Sequence, residues 1–252
     1  MSKKVKNNKR RAWFECLKSL MRVFVGKTEF KYKEGVPEGP SIILCNHVGT
    51  AAPLAWELYG DVSFRFWGAY EMNSGLINLY KYQSRVFYHE KKGWNLHLAR
   101  LFCIIASPLT CLFYAGLNLV STYHDARFKH TLTESLKTLE AGKSIIVFPE
   151  ISDKGYLDVL EGFHKGSVML AGICYKRGMD IPVYVSYFKK GEPKTLLVSE
   201  KITLEELFGD GKSREEVAAY LCARCNELGS ELLRGTAEEE ERPESADMRA
   251  TN

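Results

Sequence analysis

Two short strings, far apart in the chain, constrain its fold more than anything else in it: Ile42-Ile43-Leu44-Cys45-Asn46-His47 and Ile145-Ile146-Val147-Phe148-Pro149-Glu150. Each is a β-prone apolar run that halts abruptly at a polar group. Runs that are apolar at every position, rather than at alternate ones, suit strands buried on both faces, as in a parallel sheet covered by helices. Such folds build their sites at the carboxyl ends of the strands. One string would then deliver a histidine, and the other a carboxylate, to the same edge of a sheet.

The rest of the chain fits that frame. Helical patterns alternate with short apolar strands, so the expected fold is α/β: a mostly parallel, twisted sheet flanked by helices on both faces. Strands are expected at 29–33, 41–45, 63–69, 144–148, 181–185 and 195–199, and helices at 53–59, 128–139 and 165–176. Gly142 falls where a helix C-cap belongs. Ser213 and Glu216 form a capping-box pattern that opens a helix carrying Val217, Tyr220, Leu221 and Leu228. With 252 residues, 45% hydrophobic and 26% charged, there is ample sequence for a full core in one large domain with appendages.

The two ends differ in charge. Lys3, Lys4, Lys6, Lys9, Arg10 and Arg11 crowd the start, without the long apolar stretch and cleavage pattern of a secretory signal behind them. Trp13, Leu17, Leu20, Met21 and Phe24 follow at helical spacing, with Lys18 and Arg22 between them. A basic amphipathic helix of this kind suits an anionic membrane surface, although a helix packed on its own domain satisfies the same spacing. The expected organisation is a membrane-facing helix over 1–28, a domain over 29–234 and a disordered acidic tail over 235–252.

Residues 101–120 form the longest apolar run, with Pro108 near its middle. Twenty helical residues span roughly 30 Å, the thickness of a bilayer core. A single crossing, however, would put the two strings on opposite sides of a membrane. The expectation is therefore a buried or membrane-dipping hairpin broken near Pro108.

Other residues read as structural. Cys16, Cys45, Cys103, Cys111, Cys174, Cys222 and Cys225 lie mostly inside apolar runs, which favours reduced, buried thiols. Cys222 and Cys225 are a lone pair within a helical pattern and read as packing residues. His89, His97, His124, His130 and His164 lack metal-ligand spacing, so no metal is expected. Tyr80-Lys81-Tyr82 and Lys91-Lys92-Gly93-Trp94 mix cations with aromatics, but no nucleic-acid module surrounds them. A serine hydrolase would need a Gly-x-Ser-x-Gly elbow, which the sequence does not contain.

Across roughly 36–190 several blocks occur in order: the Asn46-His47 strand end, the helix before Gly142, Phe148-Pro149-Glu150, Gly162-Phe163-His164-Lys165-Gly166 and Ile181-Pro182-Val183. Together they resemble the glycerophospholipid acyltransferase family, which includes the 1-acylglycerol-3-phosphate acyltransferases. The resemblance implies transfer of a fatty acyl group to a hydroxyl of a lysophospholipid or related glycerolipid. The donor co-substrate would be acyl-coenzyme A or acyl carrier protein, with no tightly bound cofactor. The setting would be the cytoplasmic face of a membrane, with anionic lipids as partners. His47 would be the catalytic base, and Asn46, Phe148, Pro149, Glu150, Lys165 and Arg127 would bind substrate. Glu150 would face the acceptor's glycerol or headgroup, and Lys165 or Arg127 its phosphate.

The chain is a divergent match. The family's His-x4-Asp reads His47-Val48-Gly49-Thr50-Ala51-Ala52, the glycine after the glutamate is Ile151, and the arginine of the second block falls on Thr122. Asp125 is an alternative carboxylate for His47. The competing reading is a catalytically silent, lipid-binding relative.

Overall fold

The expected strands form one sheet. Among the residues described in this computed structural model, 10–151 and 157–240, the strands are β1 (Thr28–Tyr32), β2 (Ile42–Cys45), β3 (Phe64–Ala69), β4 (Val120–Thr122), β5 (Ser144–Val147), β6 (Val183–Lys189) and β7 (Lys194–Val198). Their order across the sheet is β1-β7-β6-β2-β5-β3-β4. Neighbours are parallel except β6 and β7. The helices are α1 (Ala12–Phe24), α2 (Ala51–Tyr59), α3 (Tyr70–Asn73), α4 (Leu76–Lys81), α5 (Leu96–Leu117), α6 (Phe128–Glu140), α7 (Gly166–Lys176), α8 (Leu204–Phe208) and α9 (Arg214–Glu240). A π-helical segment, Tyr82–Lys91, follows α4.

Why β2 and β5 are apolar at every position is visible in their packing. Ile42 and Leu44 join Ile145, Val147 and residues of α6, α7 and α9 on one face, including Leu136, Val168 and Leu221. Ile43, Cys45 and Ile146 face the other way, against Phe14 of α1 and Ala52 and Trp56 of α2. Burying a Leu or Ile side chain in this way contributes about 1.5–3 kcal/mol relative to exposure. The doubly covered strands anchor the sheet centre, and the site residues follow directly from their ends.

Two expectations need correction and one needs completing. The first is the break near Pro108: α5 runs unbroken from Leu96 to Leu117 with Pro108 inside it. A proline removes one helical hydrogen bond and crowds the preceding turn. Here the π-helical segment clamps the helix on both sides of it. Ser107 donates to Gln83 Oε1 at 2.7 Å, Gln83 Nε2 donates to Thr110 Oγ1 at 2.9 Å, and Thr110 donates to the Ala106 carbonyl at 2.9 Å. The helix ends at Asn118, which takes the left-handed conformation (φ 53°) common at C-caps. The last residue of the apolar run, Val120, then opens β4 rather than continuing the helix.

The second concerns α1, which packs on the domain through Phe14 and Lys18 and leaves a further apolar row exposed. Phe14 is fully buried, its ring 5.5 Å from that of Phe113, in space left open by Gly116. A Cβ on Gly116 would lie 2.0 Å from the Phe14 ring. Lys18 and Arg10 both pair with buried Glu57 of α2. Trp13, Leu20, Val23 and Phe24 meanwhile remain exposed.

The third concerns α9. Its capping box is present, with the Glu216 N–H donating to Ser213 Oγ at 3.2 Å and the Ser213 N–H to Glu216 Oε2 at 2.7 Å. Val217, Leu221 and Leu228 are buried, but Tyr220 points outward. The backbone continues helical to Glu240, past the boundary expected for the acidic tail. Residues 241–252 lie outside the described residues, as do 152–156 and 1–9, which include Lys3, Lys4, Lys6 and Lys9.

Candidate active site

Parallel pairing of β2 with β5, in the register Ile42↔Ile145 to Leu44↔Val147, brings the chain after each strand to one edge of the sheet. There the Glu150 Oε2 accepts a hydrogen bond of 2.7 Å from the backbone N–H of His47. The segment carrying Glu150 is fixed from the far side. The Ile151 N–H donates to the Gly162 carbonyl at 3.0 Å, and the His164 N–H to the Pro149 carbonyl at 2.7 Å. This antiparallel bridge ties Pro149-Glu150 to the approach of α7. Phe148 lays its ring 5.1 Å from that of His47 and 5.8 Å from that of Phe66, giving the histidine an apolar wall.

Glu150 is only 6% exposed. Burial pushes its carboxyl above the ordinary carboxylate range, opposed by the N–H groups of His47 and Leu157. The consequence for stability has a definite sign. Between the ordinary value of 4.5 and its raised value, the folded chain holds a proton that the unfolded chain has released. Stability therefore falls as pH rises through that window. Glu150→Gln keeps an acceptor for the His47 N–H and removes the titration. The unfolding free energy of the wild type minus that of the variant should decline as pH rises from 4.5, read by urea unfolding at a series of pH values. A flat difference would show that Glu150 is not desolvated as described.

Asn46, expected to bind substrate, is engaged with the backbone of β6. It is 1% exposed, and its amide donates to the Phe188 carbonyl at 3.1 Å and accepts from the Phe188 N–H at 2.7 Å. The β2–β6 ladder ends at Cys45↔Ser186, and this side chain supplies the next rung. Asn46 thus ties the strand end that presents His47 to β6.

The two cations expected to bind phosphate are both engaged in ion pairs. Lys165 precedes α7, but its ammonium is paired with Glu215 at the start of α9, and both are exposed. Arg127 makes a two-pronged pair with Asp125, at 3.0 Å and 2.8 Å, and its guanidinium lies 4.6 Å from the Tyr123 ring centroid and 5.1 Å from that of Tyr70. The arginine holds the exposed Asp125 carboxyl down at about 2. That pair follows β4, three strands from β2, which is roughly 14 Å at the usual strand spacing. Asp125 is therefore engaged with Arg127 instead of supplying a carboxylate to His47. Ala52 is fully buried within the α1–α2 core, and Thr122 donates to the Gly68 carbonyl at 3.0 Å.

Sequence reasoning passed over Ser167. The first N–H groups of a helix have no acceptors within it, and at α7 these belong to Gly166, Ser167 and Val168. Ser167 is 2% exposed, and its Oγ is a buried polar atom with no hydrogen-bond partner among the described residues. Gly166 permits close packing at this end, since a Cβ there would lie 2.9 Å from the Phe128 ring. The only sequence signal was the Lys165-Gly166-Ser167 helix start itself.

No family model matches the chain, and no curated protein matches it. Among solved structures it is similar to the 1-acyl-sn-glycerophosphate (LPA) acyltransferase PlsC from Thermotoga maritima, at 17% identity and a TM-score of 0.48. That similarity covers 88% of this chain and 78% of the other.

Proposed function

We propose that this chain transfers a fatty acyl group from a thioester carrier to a hydroxyl of a lysophospholipid or related glycerolipid, with His47 as the base. The observation that carries the reading is the meeting of His47 and Glu150 at the ends of adjacent parallel strands, joined by a 2.7 Å hydrogen bond beside Phe148. In the reaction the imidazole removes the acceptor's hydroxyl proton as the oxygen attacks the thioester carbonyl. The tetrahedral intermediate collapses and expels a thiolate, which takes the proton back from the imidazolium. Glu150 anchors the His47 backbone through Oε2. Among the described residues its Oε1 accepts a long 3.5 Å contact from the Leu157 N–H, which suits it to take acceptor hydroxyls as well. Backbone N–H groups at the start of α7 suit an oxyanion or a phosphate. Arg127 serves the acceptor phosphate only by giving up Asp125. The carrier is coenzyme A or acyl carrier protein, and the setting is the cytoplasmic face of a membrane.

A silent, lipid-binding relative is the second reading, and one observation favours it. Ala52 leaves no carboxylate in the first turn of α2, and the contact between Glu150 and His47 runs through the backbone. Thiol release separates the two. Purified protein in detergent micelles would be given acyl-coenzyme A or acyl-loaded carrier protein, with a panel of lysophospholipids and monoacyl glycerolipids. Release that depends on one acceptor is the expected result. Lipid binding without release from either carrier would transfer the conclusion to the silent relative.

A further inference from the structure

The region between β3 and β4 leaves a long apolar surface uncovered. Leu98, Leu101, Ile104, Ile105, Leu109 and Leu112 of α5 are each more than half exposed, Ile105 by 72%. Spaced at i, i+3, i+4 and i+7, they make a stripe along most of the helix. Only 17% of the most apolar window of α5 is buried within the protein, and its mean hydropathy of 1.7 and length would permit a membrane crossing.

The partner of α5 in the fold argues against a crossing. The helix packs against α4 and the π-helical segment, which return beside it. If α5 crossed a bilayer, that limb would have to cross with it. Yet the limb carries exposed Lys81, Arg85, His89 and Glu90, and charges within hydrocarbon are strongly disfavoured. Seating the hairpin in the plane of the membrane removes the conflict. The stripe then enters the headgroup–acyl boundary while the charged groups stay in water.

Two further features fit that placement. Tyr88, Trp94 and Phe102 cluster at the turn of the hairpin, with ring centroids 4.8–5.5 Å apart. Aromatic residues of this amphipathic kind gather at membrane–water interfaces. Exposed Lys81, Arg85, Lys92 and Arg100 outweigh Glu90 around the hairpin, which complements anionic headgroups. At the other end of α5, α1 packs through Phe14 and adds exposed Trp13, Leu20, Val23 and Phe24.

We infer that the α4–α5 hairpin, with the exposed row of α1, is an in-plane seat for a bilayer containing anionic lipid. The inference rests on the acyl-transfer reading only for its purpose, which is to hold the site where lipid acceptors reside. Vesicle binding is measured without substrate, so it succeeds or fails separately from thiol release in micelles.

The test uses the full chain with vesicles of phosphatidylcholine, alone or with about a third phosphatidylglycerol. Flotation should show binding that favours the anionic vesicles and is released by alkaline carbonate. Leu101→Gln, Ile105→Gln and Leu109→Gln together should weaken partitioning on the order of 100-fold. Circular dichroism and thermal unfolding would show the fold retained, since the three side chains are exposed. Lys81→Glu with Arg85→Glu should abolish the preference for anionic lipid while leaving the fold intact. Equal binding by the triple glutamine variant would overturn the inference. So would a wild type that ignores vesicles, including one whose stripe is covered in a dimer. Resistance to carbonate, with the Trp94 turn shielded from protease, would replace the seat by a span.

Discussion

Alanine at position 47 should lower acceptor-dependent thiol release by roughly 10²- to 10⁴-fold, the range usual for loss of a positioned general base. The fold should survive the change, for structural reasons. His47 lies beyond the last ladder pair of β2, and the N–H that Glu150 accepts from belongs to the backbone, which alanine keeps. What is lost is the imidazole and its packing on Phe148. The effect should therefore appear in kcat, with acceptor binding and unfolding midpoint nearly unchanged. A silent lipid-binding protein would show no difference between the two chains in any of these measurements. An equal, low release from wild type and variant would assign the turnover to a contaminant or to spontaneous thioester hydrolysis, and remove His47 from the chemistry.

The largest expected effect on stability comes from Glu57→Ala. Arg10 reaches the Glu57 carboxylate through two nitrogens, at 3.1 Å and 2.7 Å, and Lys18 lies 3.1 Å from it. All three side chains are 6% exposed or less. Removing one member of a buried ionic group leaves the others desolvated without compensation, which typically costs about 3–5 kcal/mol. That is a large part of the 5–15 kcal/mol or so that stabilises an ordinary domain. Urea unfolding would give the number, and limited proteolysis within α1 would show whether the helix has come away. The matched control is Arg10→Met with Lys18→Met and Glu57→Leu, which should be close to neutral because no charge is left buried. A loss below about 1 kcal/mol in Glu57→Ala would mean that the two cations swing out to water and that α1 is held by its other contacts, Phe14 and the Arg22 bonds to the Leu58 carbonyl among them.

The sheet was legible because its signal is local. Doubly covered strands must be apolar at each position, so β2, β5 and β6 stood out as runs, and the polar groups that end the first two marked the functional edge. Whatever depended on a distant partner was not legible. Nothing near Asn46 in sequence reveals that its amide is matched to Phe188, and nothing near Lys165 points to Glu215. Pro108 was read as a break because a proline alone is one. The clamp that carries α5 through it comes from Gln83, on a different element. The same holds for α1, whose exposed row is visible in the periodicity while the buried Lys18 is explained only by Glu57.

The sheet order also sets a timetable for the growing chain. β1 is made early, but within the sheet its neighbour is β7, which is made after all the other strands. While the ribosome is still producing the middle of the protein, the first strand has no edge to join. For most of synthesis, at about 5–20 residues per second, β1 therefore lacks its neighbour in the sheet. A sheet connected in this way cannot complete its β1 edge until β7 has been made, so its closure waits for the last strand.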